Sequence, residues 1–73
     1  MNVLEHHVIK LIGEPEVKVI ELNDSPAVYC AIQKVKEDCY GRKSISKVSR
    51  CGDTKEEALD KISEVKEGYT YLA

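Results

Sequence analysis

The sequence contains no tryptophan and no phenylalanine, and its four aromatic residues are all tyrosines. A hydrophobic core must therefore be built from valine, isoleucine, leucine and alanine. No apolar run approaches the length that a membrane-spanning helix needs. Residues 1–7 lack the basic start and the apolar segment of a signal peptide. We therefore expect a cytoplasmic protein without a membrane partner.

Motifs that mark common catalytic and cofactor sites are also missing. The four glycines are isolated turn residues rather than a glycine-rich phosphate loop, and no serine lies in a nucleophile elbow. The adjacent His6 and His7 do not share a face of a helix or a strand, so we expect one exposed and one half-buried histidine. Their distance from the cysteines matches no usual zinc spacing. We predict no enzyme activity, no metal and no cofactor.

Cys30, Cys39 and Cys51 cannot all pair within one chain, and none belongs to a Cys-x-x-Cys motif. Cytosolic cysteines are mostly reduced. We therefore expect three free thiols, with Cys30 in the core and the other two near turns.

The length of 73 residues predicts a single small domain over residues 1–73. Such a chain buries only about 60% of the surface that its unfolded form exposes, so its stability margin is small. Formation of a homodimer would bury more. A hydrophobic content of 42% with 33% charged residues indicates a globular rather than a disordered chain.

Three segments predict antiparallel strands. Residues 16–22 are rich in β-branched residues, and residues 27–36 follow after a turn of Asn, Asp, Ser and Pro. A loop over residues 37–41, with a glycine available for positive φ, leads into a more polar strand over residues 42–50. The Lys and Arg residues of this last strand are typical of a sheet edge, where they discourage pairing with other chains.

The next segment predicts an amphipathic helix over about residues 54–67. Thr54 and Glu57 form the Thr-x-x-Glu pattern of a capping box, and acidic residues surround the positive end of the helix dipole. Apolar residues recur at helical spacing, so this helix must pack on one face of the sheet. Gly68 ends the pattern, and residues 69–72 form either a frayed end or a short strand.

Residues 2–12 are compatible with two structures. Their apolar residues fall on one helical face, and Asn2 with Glu5 resembles a helix cap and its partner. Residues 8–12 and 17–22, separated by Gly-Glu-Pro-Glu, equally fit a β-hairpin. The sequence therefore predicts an α+β fold: a three- or four-stranded antiparallel meander packed by one C-terminal helix. Residues 2–12 form either an N-terminal helix or a first strand.

Positive charge is concentrated in residues 34–50. Clustered cations on a hairpin displace counterions from nucleic-acid phosphates, and a tyrosine at its tip can stack on a base. The candidate nucleic-acid contacts are Lys34, Lys36, Tyr40, Arg42, Lys43, Lys47 and Arg50. The alternative is a solvated hairpin whose charges prevent aggregation. The net charge of −2 argues against strong nonspecific binding.

Residues 51–69 read Cys-Gly-Asp-Thr-Lys-Glu-Glu-Ala-Leu-Asp-Lys-Ile-Ser-Glu-Val-Lys-Glu-Gly-Tyr. This segment resembles the Gly-Asp-Thr-x-Glu-Glu-Ala-Leu segment of HicB-like antitoxin domains. The resemblance covers residues 27–71 and implies a helix packed on a three-stranded sheet. A helix over residues 2–12 would give the order α-β-β-β-α, which is similar to double-stranded RNA-binding domains.

We therefore expect a non-enzymatic binding or regulatory domain. The first hypothesis is a protein-interaction module of antitoxin-like layout, which uses the uncovered sheet face or an edge strand to bind a protein partner or a second copy of itself. The alternative is a nucleic-acid-binding domain that uses the basic hairpin of residues 34–50.

Overall fold

The computed structural model describes residues 4–72, which form strands and one helix in the order β-β-β-α-β. The elements are β1 (Glu5–Ile20), β2 (Val28–Cys39), β3 (Arg42–Gly52), α1 (Lys55–Ile62) and β4 (Thr70–Leu72). The strands form one antiparallel sheet of order β3-β2-β1-β4. The predicted α+β fold, an antiparallel sheet with a single helix toward the C-terminus, is confirmed.

β1 is one long strand where the sequence allowed a helix or a hairpin. Residues 5–12 lie within it, so the strand alternative is confirmed and the helix is wrong for these residues. Asn2, the supposed helix cap, lies outside the described residues. The hairpin between residues 8–12 and 17–22 is also wrong, because both halves pair with the same neighbour, β2.

Gln33 compensates for the irregular middle of β1. The register with β2 shifts between Ile12 and Glu16, where Gly13 has a φ of 70° and Pro15 has no N–H to donate. The buried Gln33 amide donates through Nε2 to the carbonyl oxygens of Ile12, at 3.3 Å, and Gly13, at 3.1 Å. A buried amide without partners would cost about 1–3 kcal/mol. The carbonyl groups of the bulge therefore provide hydrogen-bond acceptors for a buried amide. The bulge also accommodates the Gly-Glu-Pro segment within one continuous strand, so that the chain does not reverse direction there.

The β2–β3 hairpin is tighter than the predicted loop over residues 37–41. Pairing continues to Cys39 opposite Arg42, which leaves Tyr40 and Gly41 as the turn. Their φ values of 52° and 82° are both positive, as a two-residue turn that matches strand twist requires. The cross-strand register is continuous from Tyr29 to Cys39, so this hairpin is the regular part of the sheet.

α1 begins as predicted but ends earlier. The N–H of Glu57 donates to Thr54 Oγ1, and the Glu57 carboxylate accepts from the N–H of Asp53, each at 3.1 Å. The helix ends at Ile62 rather than near residue 67. After the helix, the backbone N–H groups of residues 64 and 65 bond to the carbonyl three residues earlier, as in a 3₁₀ turn, and the bond from Val65 N–H to Ile62 O is an example. The chain then turns toward β1, and residues 70–72 add the short strand that was one of the two alternatives.

The core lies between α1 and one face of the sheet and is aliphatic, as expected from the composition. Its buried members are Val8, Ala31, Val35, Val48, Ala58, Ile62 and Val65. Tyr29, Tyr69 and Tyr71 pack against its border. In residues 4–72, no helix is both long enough and apolar enough to cross a membrane.

A disulfide joins Cys30 and Cys51, which lie directly opposite each other on β2 and β3, with their sulfurs 2.03 Å apart. The expectation of three reduced thiols is therefore wrong, although Cys30 is buried as predicted and Cys39 is free. The two bonded cysteines are 21 residues apart in sequence. Only the register of the hairpin places them side by side, and sequence spacing does not reveal that register.

Candidate functional site

The sheet has two faces of different character, because side chains of successive strand residues alternate between them. One face carries Ala31, Val35 and Val48 and packs against α1. We call it the covered face. The opposite face, which carries the intervening residues such as Cys30 and Lys34, we call the uncovered face.

Lysine dominates the uncovered face. The lysines that the strand registers place there are Lys10, Lys18, Lys34, Lys36, Lys43 and Lys47. The acidic residues that the registers place on the same face are Glu5, Glu16 and Asp38, and Glu14, in the irregular middle of β1, borders Lys18 and Lys34 there. A chain whose net charge is −2 therefore presents one face on which six cations outnumber four anions.

Two cross-strand pairs on this face place lysine opposite lysine. Lys34 on β2 faces Lys47 on β3, and Lys36 on β2 faces Lys10 on β1. We call these four residues the lysine cluster. None of the four forms a salt bridge with any residue in the part of the chain that the structure describes. Like charges directly opposite each other destabilise a sheet, so the cluster is an unfavourable arrangement that an anionic partner would relieve.

A cavity of about 340 Å³ opens beside the lysine cluster. Its lining residues are Ile12, Gly13, Glu14, Glu16, Lys18, Ile32, Lys34 and Lys47. Ile12 and Ile32 are partly buried, whereas the lysines and glutamates around them are exposed. An apolar centre inside a polar rim is the usual anatomy of a protein–protein interface.

The structure divides the seven predicted nucleic-acid contacts among three places. Four share the uncovered face: Lys34, Lys36, Lys43 and Lys47. Tyr40 is at the hairpin turn and is 68% exposed. Arg42 and Arg50 lie on the other side of β3, where Arg50 donates to the Tyr69 hydroxyl at 3.2 Å. The predicted set therefore does not form one continuous surface.

The histidines separate as expected. His6 is half-buried on the covered face, whereas His7 is exposed on the uncovered face and its Nδ1 lies 3.0 Å from Thr70 Oγ1. Because they lie on opposite faces, they do not act as a pair.

A second polar cluster, near the hairpin end of the covered face, was missed by the sequence reasoning. The Glu37 side chain is 5% exposed and its Oε1 lies 3.0 Å from His6 Nδ1. Its Oε2 accepts a hydrogen bond from the Tyr71 hydroxyl. The His6 and Tyr71 rings stack, with centroids 4.8 Å apart. The one available signal was that Glu37 continues the inward alternation of β2 after Val35.

Hydrogen bonding decides the charge state of this cluster. Burial raises the pKa of Glu37, but hydrogen bonds from Tyr71 and His6, with smaller effects of the His6 charge and the Ser46 hydroxyl, hold it below its usual 4.5. Burial, and then the Glu37 carboxylate, raise the pKa of Tyr71 to about 12. At neutral pH Glu37 is therefore ionised and Tyr71 keeps its proton.

Within residues 4–72, no three His, Cys, Asp or Glu side chains are arranged to hold a metal ion. Compared with protein-family models, curated proteins and solved structures, the chain matches none. The resemblances to HicB-like antitoxin domains and to double-stranded RNA-binding domains therefore stay predictions.

Proposed function

We propose that this chain is a non-enzymatic binding module that uses the uncovered face to engage an acidic surface of a protein partner. The observation that supports this proposal most directly is the two cross-strand lysine pairs, Lys34 with Lys47 and Lys36 with Lys10. A sheet under selection for stability alone would place opposite charges, or a charge and a neutral residue, at such positions. An anionic partner would convert this local repulsion into attraction on binding.

The residues between the lysines favour a protein partner. Ile32 and Ile12 line the cavity, and Ile45, which is 56% exposed, lies on the same face. Apolar surface enclosed by cations suits a partner that combines carboxylates with aliphatic side chains. Single-stranded nucleic acid instead binds on aromatic platforms. Among the described residues, no aromatic ring other than that of His7 belongs to the uncovered face, since Tyr29, Tyr69 and Tyr71 pack beside the core.

The antitoxin-like layout is part of this proposal, because a HicB-like domain would be expected to act through a protein partner. A homodimer is the other form that a small binding domain of this kind would take. A cytoplasmic setting also stays a prediction. The Cys30–Cys51 bond weighs against a strongly reducing compartment, because structural disulfides persist mainly in oxidising ones.

Binding of double-stranded nucleic acid is the second candidate. The specific observation in its favour is that four of the predicted contacts share one face: Lys34, Lys36, Lys43 and Lys47. Contacts of lysine with phosphates need no aromatic platform. Tyr40, exposed at the hairpin turn, borders the same end of the sheet.

The test is an amide-resonance titration of the ¹⁵N-labelled protein with a short acidic peptide containing Glu and Leu, and separately with duplex DNA and duplex RNA. We expect the peptide to shift resonances of the uncovered face, and the shifts to weaken at higher salt. The double variant Lys34→Gln/Lys47→Gln should lose most of this binding. The matched control Lys55→Gln/Lys66→Gln removes the same charge outside the sheet and should retain it.

The outcomes separate the candidates. Shifts with duplexes and none with the peptide would replace the protein-binding proposal by the nucleic-acid one. No shift with any of the three probes, or equal loss in both double variants, would overturn the assignment of the uncovered face as a binding surface.

A further inference from the structure

The outer edge of β1, on the side away from β2, is open for most of its length. β4 pairs only with residues 5–7, and backbone bonds to residues 68 and 69 extend this cover as far as Val8. From Ile9 to Ile20, no strand or loop within residues 4–72 pairs with this side of β1. Residues 16–20 are the part of this stretch that pairs regularly with β2. We call residues 16–20 the open edge.

Val17 and Val19 point their backbone groups outward from the open edge. Hydrogen-bonded and non-bonded pairs alternate along an antiparallel ladder. Both backbone groups of Val8 bond away from β2, so its pair with Glu37 is a non-bonded one. β2 is regular over residues 29–39, so the same phase applies at positions 31 and 29, which Val17 and Val19 face. Two N–H groups and two C=O groups of the open edge are therefore free to pair with another strand.

The side chains of the open edge are largely apolar and incompletely covered. Val17 packs against the border of the core, Val19 is 50% exposed, and Ile20 is 45% exposed. α1 lies mainly over β2 and β3, and a cavity of about 510 Å³ remains between Leu59 of α1 and Val17. Exposed β-branched residues on a strand with unpaired backbone groups form a template for pairing with a further strand.

The opposite edge of the sheet, β3, is protected against pairing with itself. It has four basic residues and no acidic one, so two copies would bring like charges together. The basic residues are Arg42, Lys43, Lys47 and Arg50. The open edge differs, because its two charges are of opposite sign, on Glu16 and Lys18. Both side chains are exposed, and neither forms a salt bridge with any described residue.

We propose that the open edge pairs antiparallel with the open edge of a second copy of this chain, about a two-fold axis at Val17. The two Val17 residues then exchange two N–H···O=C bonds. Each Val19 N–H donates to the Pro15 carbonyl of the other copy, a bond that requires no N–H from proline. Glu16 of each copy lies opposite Lys18 of the other, which gives two attractive cross-strand pairs.

Charge selects this register and this occupant. Centring the pair on Lys18 would set lysine opposite lysine, and centring it on Val19 would set both charged residues opposite apolar ones. Only the axis at Val17 makes the segment complementary to itself, as the interface of a two-fold dimer must be. β4 lies beside residues 5–7 and therefore does not obstruct a strand beside residues 15–19. The dimer closes both open edges and joins the two sheets into one.

The test is sedimentation equilibrium between about 10 µM and about 1 mM protein. We expect a reversible monomer–dimer equilibrium in this range. In a mixture of ¹³C-labelled and unlabelled copies, we also expect an intermolecular NOE between the Hα atoms of Glu16 and Lys18, which face each other in a closely spaced non-bonded pair. A protein that is strictly monomeric at about 1 mM would overturn the proposal.

A charge exchange tests the register. Lys18→Glu sets acid opposite acid in both pairs and should raise the dissociation constant of the dimer about tenfold or more. The double variant Glu16→Lys/Lys18→Glu restores opposite charges and should return the constant to within about threefold of the native value. Both positions are exposed, so these variants are expected to fold, and their amide spectra verify this. A dimer that resists Lys18→Glu, or that the double variant does not restore, would overturn the register.

Lys47→Glu is the matched control, because it makes the same charge change on β3, the other edge of the sheet. It should leave the dissociation constant within about twofold, since salt largely screens exposed charges at this separation. Equal weakening by Lys47→Glu and Lys18→Glu would show a general charge effect and overturn the interface. None of these readouts uses the acidic peptide or the lysine cluster, so this proposal and the proposed function can fail independently.

Discussion

The covered and uncovered faces are built from alternate residues of the same long strands, yet they treat polar groups in opposite ways. On the covered face the two buried polar side chains, Gln33 and Glu37, are held by hydrogen bonds from or to neighbouring groups. On the uncovered face Lys34 stands opposite Lys47, and neither forms a salt bridge with any residue from 4 to 72. Burial enforces pairing of polar groups, whereas solvent tolerates repulsion. The two faces therefore differ in how strictly their polar groups have to be paired.

The largest expected effect tests whether the uncovered face also contributes to stability. The Cys30–Cys51 bond joins β2 and β3 across a sequence separation of 21 residues. Removing it with Cys30→Ala/Cys51→Ala should lower the free energy of unfolding by about 3 kcal/mol, since the unfolded chain regains the entropy of the open loop. Urea denaturation measures this loss. Cys39→Ala is the control and should respond far less, and equal losses would contradict the structural role of the bond.

A smaller effect is expected when an aliphatic side chain is truncated to alanine, and its size should differ between the covered and the uncovered face. Val35 is 0% exposed, and Val35→Ala should cost about 2 kcal/mol because it removes two buried methyl groups and leaves a cavity. Ile45 on the uncovered face is 56% exposed, so Ile45→Ala should cost less than about 0.5 kcal/mol. Thermal and urea denaturation of both variants provide the comparison. Similar costs at the two positions would mean that the uncovered face is buried in solution.

Acid should weaken the covered face through Glu37. The pKa of this carboxyl is lowered in the folded chain from its usual 4.5, so the unfolded chain takes up the proton more readily. Its contribution to stability is complete above the unfolded pKa and is lost as the pH falls through the folded one. Glu37→Gln should cost about 1 kcal/mol at neutral pH and flatten this acid dependence. Stability measured from pH 7 down to about pH 3 tests both expectations.

Glu57→Gln is the control for this prediction. Hydrogen bonding from the N–H of Asp53, and then Lys61, lowers the pKa of Glu57 as well. Its side chain lies in solvent, where such interactions contribute little. The loss of stability between pH 7 and about pH 3 should therefore change less in Glu57→Gln than in Glu37→Gln. An equal change in the two variants would contradict the assignment of this loss to Glu37.

The smallest expected effect is a substitution that raises, rather than lowers, the free energy of unfolding. Lys47→Glu places an acid opposite Lys34 and should stabilise the sheet by about 0.5 kcal/mol while weakening binding of the acidic peptide. Lys43→Glu makes the reverse change, because Lys43 faces Asp38, and should destabilise by a similar amount. A small shift in the urea midpoint measures each. Loss of stability in Lys47→Glu would contradict the repulsion on which the proposed function rests.

Local patterns in the sequence predicted most of the regular structure. β2 and β3 were expected from β-branched segments bounded by turn residues, and the capping box at Thr54 placed the start of α1 correctly. The irregular elements were not predictable in this way. The bulge in β1 depends on the Gln33 amide on another strand, and the end of α1 depends on how the chain after Ile62 returns to β1, where Gly68 and Tyr69 bond to Val8.

The candidate sites show the same division. The sequence indicated a basic segment and named Lys34 and Lys47 within it, since clustered charge is visible in a linear string. It did not show that Lys10 completes the lysine cluster, because Lys10 is distant in sequence and joins through the β1–β2 register. His6, Glu37 and Tyr71 come from three separate strands, so nothing local links them.

What the sequence determined by itself is whatever depends on residues within a few positions of one another: strand and helix segments, the helix cap, the aliphatic core and the basic hairpin. The tertiary structure alone decided which residues face each other across strands. Register selects a disulfide between Cys30 and Cys51, sets lysine opposite lysine, and brings His6 to Glu37. A shift of one residue would exchange the two faces of a strand, so these pairings depend on every contact of the sheet at once.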